Sequence, residues 1–176
     1  DKTAEIASSM NAKVVRLGRN MGKGIALKSG IKECMKHNPD FIIVLDGDGQ
    51  HDPADIPKVL EPLEEGNADI VIGSRYGVNS LTDIPVIRGI GLSVLELVNR
   101  SLTRTSVRDT QSGFRAYSKS AFGIMSKYIS KGYGAETELL AAAELQGYRI
   151  KEVPVTIRYR GLQNTSKENQ FLHGAS

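Results

Sequence analysis

Tryptophan is absent, and cysteine occurs once, at Cys34, in a chain of 176 residues. A single cysteine excludes an internal disulfide, and a lone thiol fits a reducing compartment. Aromatic residues make up only 6% of the chain. No apolar run approaches the roughly 18 residues needed to span a bilayer. Charge of one sign is lacking too: 23 Lys and Arg stand against 20 Asp and Glu, a net +3. Nucleic-acid binders usually carry a dense basic face, so this balance argues against that class. There is no starting Met and no signal peptide, and residue 1 already sits in a helical pattern, so a natural N-terminus is expected upstream. What is present, 40% hydrophobic and 24% charged residues, is ordinary globular composition. One domain over residues 1–176, with its own core and truncated at the N-terminus, is the simplest expectation.

The eighteen glycines punctuate short apolar runs. Ala4 to Met10 reads as the end of a helix, Lys13 to Leu17 as a short strand, and Gly24 to Lys36 as a helix that packs through one face, Cys34 included. Phe41 to Leu45 is a continuous apolar run, which suits a strand covered on both faces and central in a sheet. A helix capped by Asp52 or Asp55 follows and stops at Gly66. Asp69 to Gly73 is a second buried-type strand. This alternation predicts a three-layer α/β fold with a mostly parallel central sheet. Farther on, the pattern predicts a long helix from Pro85 to Thr103 and helices over Lys119–Tyr128 and Ala135–Leu145. A late strand runs from Ile150, with Pro154 placing it at an edge or a bulge. A polar tail begins at Gly161.

The most informative stretch is Asp46-Gly47-Asp48-Gly49-Gln50-His51-Asp52-Pro53. It directly follows the buried strand, and in open α/β sheets ligands collect at the carboxyl ends of strands. Two carboxylates at i and i+2, with glycines between, can point at one centre. Unassisted, such close like charges repel; a hard divalent cation, Mg²⁺ or Mn²⁺, removes the repulsion and prefers oxygen ligands. Gln50 offers a neutral carbonyl oxygen to complete the set of Asp46, Asp48 and Gln50. Asp52 before a proline reads as a helix cap, and His51 as structural. The alternative for the whole stretch is a metal-free Asp/Gly turn.

These residues belong to an ordered set. Asn20-x-Gly22-Lys23-Gly24, Asp46-Gly47-Asp48-Gly49-Gln50, Gly73-Ser74-Arg75-Tyr76, Asp109-Thr110-Gln111-Ser112-Gly113-Phe114-Arg115, Glu152-Val153-Pro154-Val155 and Ser166-Lys167 follow one another along the chain. In that order the sequence resembles the family 2 glycosyltransferases of GT-A fold. The nearest branch is the one that makes polyprenyl-phosphate sugars, such as dolichyl-phosphate mannose or glucose synthases. Gly47, where the family often has Ala, and Ala135, where an aromatic is common, depart from the pattern. The resemblance implies that a first strand and an early base-binding aspartate lie upstream of residue 1.

The resemblance further implies a metal-dependent inverting transfer of a hexose from a nucleotide sugar, GDP- or UDP-linked, to a polyprenyl phosphate, by a protein at the cytoplasmic face of a membrane. Arg158 and Lys167 would then bind the donor diphosphate, with Arg160 and Ser166 beside them; a solvated basic strand face is the alternative for Arg160. Lys23 opens a helix, where anions are attracted, or simply belongs to a glycine-shaped turn. Arg75 and Arg88 would hold the acceptor phosphate through their planar donor forks. Asp109, with Gln111 and Ser112 beside it, takes an active-site position with its role open. Glu136 either complements a helix start or meets the sugar. Two other readings stay open: a family 2 enzyme acting on a sugar hydroxyl, with Asp109 or Glu136 as base, and an inactive nucleotide-sugar-binding module.

Overall fold

The computed structural model describes residues 2–75, 107–128 and 135–158. In order these form α1 (Thr3–Ser9), α2 (Lys23–Met35), β1 (Phe41–Val44), a 3-10 turn (Pro53–Asp55) entering α3 (Ile56–Glu64), and β2 (Ile70–Ser74). Then come β3 (Arg115–Ser118), a second 3-10 turn (Lys119–Ala121) entering α4 (Phe122–Tyr128), α5 (Ala135–Leu145) and β4 (Ile150–Pro154). The helix expected from Pro85 to Thr103 and the tail after Gly161 lie outside the described residues.

The four described strands form one sheet in the order β1-β3-β2-β4. β3 pairs antiparallel with both β1 and β2, while β2 and β4 pair parallel. Three strands therefore share one direction and β3 runs against them, so the described sheet is mixed, with two antiparallel pairings and one parallel. This corrects one expectation. Among the described strands β1 lies at one end of the sheet rather than at its centre, because β3 takes the place between β1 and β2.

Side chains alternate across each strand, so every strand feeds two cores. On one face Ile42, Ile70, Ile72 and Tyr117 pack with Ile31 of α2, Phe122 and Met125 of α4, and Leu139 and Leu140 of α5. On the other, Val71, Ala116 and Phe114 pack with Val59 and Leu63 of α3 and with Val155. Helices thus cover both faces, and the three-layer expectation holds. Each fully buried Ile, Leu or Phe contributes up to about 3 kcal/mol of transfer free energy.

Local chemistry sets the element ends. Asp52 caps the turn before α3, its Oδ1 accepting the Ala54 N–H at 3.1 Å, with Pro53 next in the chain where a missing N–H costs nothing. Gly66 (φ 68°) and Gly147 (φ 78°) follow α3 and α5 in the left-handed region. β4 pairs only with β2 among the described strands, so Pro154 does sit on an edge strand. Two expectations fail. Lys13 to Leu17 forms no strand, since no described strand pairs with it and Val15 is 43% exposed. Cys34 is exposed rather than in the core, because α2 turns Ile31 and Leu27 to the sheet instead.

Candidate active site

The sheet register gathers the chemistry at one end. Val44 and Ile72 both pair with Arg115, and Ser74 pairs with Pro154. The carboxyl ends of β1, β2 and β4 and the entry into β3 therefore lie together. The segments that leave or enter there are 45–52, Arg75, 107–114 and 155–158.

The carboxylate turn starts just after β1. Asp48 Oδ1 accepts the Gln50 N–H at 3.0 Å, and Gly49 carries a positive φ of 77°, which closes the turn. Lys23, the first residue of α2, forms an ion pair with Asp46 at 3.0 Å. Gly113 lies against the same carboxylate: a Cβ there would fall within 2.7 Å of all three atoms of the Asp46 carboxyl group. The chain beyond β4 runs back along this turn. Ile157 bridges antiparallel to His51, the Arg158 N–H donates to the Gln50 carbonyl at 2.9 Å, and the Arg158 guanidinium pairs with Asp52. Lys23 and Arg158 both therefore reach the acidic turn. His51 stacks edge-on against Phe114, with ring centroids 5.4 Å apart. Burial pushes the His51 imidazole below its ordinary value, opposed by the Asp46 and Asp48 charges.

The second cluster is built on a buried carboxylate. Asp109 is fully buried, and Arg75, directly after β2, clamps it. The Arg75 N–H and Nε both donate to Oδ2 at 2.8 Å, and Nη2 donates to Oδ1 at 2.5 Å. Such a fork-on-carboxylate pair is among the stronger hydrogen-bonded arrangements. The 109–114 loop is tied to β2 by Ser112, whose Oγ donates to the Gly73 carbonyl at 2.6 Å and accepts the Phe114 N–H at 3.2 Å. Buried Arg115 braces it from inside, donating to the carbonyls of Ser112 and Thr110. Gln111 donates through Nε2 to Thr137 Oγ1 at 3.0 Å.

The structure thus brings together Lys23, Asp46, Asp48, Gln50, Arg75, Asp109, Ser112 and Arg158. Glu136 lies on α5, and Arg88, Arg160, Ser166 and Lys167 lie outside the described residues. Two contributors had no role assigned from sequence, although both stood within quoted motifs: Gly113, and Glu152, which accepts the backbone N–H groups of Arg108 and Asp109. As for a metal, no group of three or more His, Cys, Asp and Glu gathers among the described residues. Two carboxylates plus an amide oxygen are nevertheless the hard donor set that Mg²⁺ or Mn²⁺ accepts, with waters or phosphate oxygens as the remaining ligands.

The sequence model of glycosyl transferase family 2 matches residues 1–123. The chain belongs to glycosyltransferase family 2. Among related members, an uncharacterised protein of Methanocaldococcus jannaschii is 37% identical over 90% of this chain and 66% of its own. The UDP-N-acetylglucosamine–dolichyl-phosphate N-acetylglucosaminyltransferase of Methanococcus voltae is 34% identical over 80% of this chain and 57% of its own. Glycosyltransferase AglJ of Haloferax volcanii is 30% identical over 89% of this chain and 50% of its own. The chain therefore spans between half and two thirds of the length of these relatives. Glucosyl-3-phosphoglycerate synthase of Mycobacterium tuberculosis, solved with Mn²⁺, UDP-glucose and phosphoglyceric acid, superposes with a TM-score of 0.67 at 21% identity. That superposition covers 94% of this chain and 58% of the synthase, and shows that this family 2 member has a GT-A-like α/β fold.

Proposed function

We propose that this family 2 glycosyltransferase moves a hexose from a nucleotide sugar to a polyprenyl phosphate such as dolichyl phosphate, with inversion at the anomeric carbon, at the cytoplasmic face of a membrane. The observation that carries this reading is the state of Asp109. A hydroxyl acceptor needs a base with a lone pair available to take its proton. Asp109 is buried, and three donors from Arg75 occupy its two oxygens. It is built as an anchor for a guanidinium rather than as a base. A phosphate monoester is already ionised near neutral pH and needs a cation to hold it, which is the task that suits Arg75, with Arg88. The dolichyl-phosphate acceptor named for the Methanococcus voltae relative supports the same class.

On the donor side, Asp46, Asp48 and Gln50 would hold Mg²⁺ or Mn²⁺. When bound, that ion neutralises negative charge on the donor diphosphate. Arg158, brought to the acidic turn by its backbone bond to Gln50, adds positive charge there, and Lys23 extends it; Lys167 is assigned to the donor diphosphate by its place in the family pattern. Ser112 fixes the 109–114 loop. Arg160, Ser166, Gln111 and Glu136 are assigned to the substrate side, by their places in the family pattern.

Offering dolichyl phosphate and a simple methyl glycoside to the full-length protein in the same assay, with UDP- and GDP-sugars in turn and Mn²⁺ throughout, tests the reading. Sugar should pass to the lipid phosphate. Transfer to the glycoside hydroxyl alone would instead require a base, and would defeat it.

A further inference from the structure

We propose that Glu152 is a positioning residue for the acceptor site: it sets Asp109, and through Asp109 the guanidinium of Arg75. This rests on the reading of Arg75 as the group that holds the acceptor phosphate, and it adds a residue to which that reading gives no role.

The geometry is a three-step relay. Glu152 stands on β4, paired with Ile72 of β2, three residues before Arg75. Its two carboxylate oxygens are divided between two consecutive amides: Oε2 accepts the Arg108 N–H at 3.0 Å and Oε1 accepts the Asp109 N–H at 2.8 Å. Both bonds are charge-assisted and point along one stretch of backbone, so they fix the position and the rotation of the Asp109 peptide. Asp109 then takes the Arg75 N–H, Nε and Nη2 on its own two oxygens. A carboxylate that gripped only side chains would leave the loop free to turn. By gripping backbone on one side of Asp109, Glu152 leaves its buried side chain one direction in which to face, and that direction carries Arg75. Phosphate recognition by a planar fork depends on orientation as well as charge, so a loosened fork loses affinity while its charge remains.

Glutamine at 152 has one acceptor oxygen, so one of the two amides would face an NH₂ donor instead. The test varies dolichyl phosphate as acceptor, with UDP-N-acetylglucosamine or UDP-glucose, whichever the wild type turns over, as donor. Glu152→Gln should raise the acceptor KM by about tenfold and leave the donor KM within about twofold, as expected when a misplaced group binds only one substrate. In an Arg75→Ala background, where the acceptor KM is already raised, Glu152→Gln should add nothing further, because residues acting through one another are not additive. If the glutamine variant does not fold, Glu152→Asp, which keeps the charge and shortens the reach, is read by the same two ratios. Equal rises in acceptor and donor KM, or full additivity with Arg75→Ala, would show a merely structural glutamate and overturn the proposal. An unchanged acceptor KM in Glu152→Gln beside a raised one in Arg75→Ala would overturn the relay alone. An unchanged acceptor KM in Arg75→Ala would overturn the acceptor-site reading itself.

Discussion

Replacing Gly113 by alanine separates stability from activity, and the structure sets both magnitudes. The new Cβ would fall within 2.7 Å of every atom of the Asp46 carboxyl group, closer than packed atoms allow. Gly113 has no positive φ, so alanine fits the backbone, and the Asp46 side chain must swing aside. Stability should barely change. Moving Asp46 gives up its ion pair with Lys23, a group 48% exposed, and such pairs contribute about 0.2–1 kcal/mol. Against that, glycine to alanine stabilises by about 0.4–1 kcal/mol by restricting the unfolded chain. The two nearly cancel, so Tm should shift by no more than about 4 °C. Activity should collapse. Removing a group that only orients a metal ligand typically costs 10–100-fold, so displacing Asp46 from the proposed metal site should cost at least about a hundredfold. Steady-state rates with saturating Mn²⁺, beside a thermal melt of the same sample, read both quantities. Gly123→Ala in α4, where a Cβ meets nothing within 4 Å, is the control: it should gain about 0.5–1 kcal/mol and keep full activity. Wild-type rates in Gly113→Ala, with Tm unmoved, would refute the placement of Asp46 in the site.

Asp48→Asn should lose activity that excess Mn²⁺ restores little, whereas Gln50→Ala should lose less and recover more, since water can replace a neutral ligand; a Mn²⁺ titration of both compares them, and activity that survives exhaustive EDTA contradicts the metal site. Ser112→Ala removes the hydroxyl that bonds the Gly73 carbonyl and the Phe114 N–H in a buried loop, and should cost about 1–3 kcal/mol in urea unfolding. Hydrogen bonds from Arg149 hold the Asp69 carboxyl below its ordinary value of 3.8. A lowered carboxylate stabilises the fold fully above that value and ceases to do so as pH falls through its folded value, so the acid loss of stability should flatten below about pH 4 in Asp69→Asn, as read by urea midpoints at several pH values.

Much of the architecture was legible because it is written in local pattern. The apolar run of β1, the Asp52-Pro53 start before α3, and the alanine-rich α5 each carry their own signal over a few residues. The carboxylate turn was legible for the same reason: strand, then Asp-x-Asp. β3 was harder. Arg115 to Ser118 is a short stretch, and only pairing with β1 and β2, each far away in the chain, makes it a strand between them. Lys13 to Leu17 is the converse case, a β-prone run that no described strand meets. Cys34 shares helical spacing with Ile31 but lies off the stripe that faces the sheet. Gly113 and Glu152 were invisible as individuals. The first matters because a carboxylate approaches its backbone, the second because it grips amides 43 residues or more away. Contacts of that kind exist only after the sheet has formed.

The most direct measurement of the central claim is the mass of the lipid product. Full-length protein is incubated with Mn²⁺, dolichyl phosphate and the nucleotide sugar it accepts, and the lipid extract is weighed by mass spectrometry. Transfer of the hexose alone predicts dolichyl phosphate plus one sugar residue, with a single phosphorus atom and a free nucleoside diphosphate in the aqueous phase. A lipid diphosphate sugar with release of a nucleoside monophosphate, or an unmodified lipid beside a glycosylated hydroxyl, would contradict it.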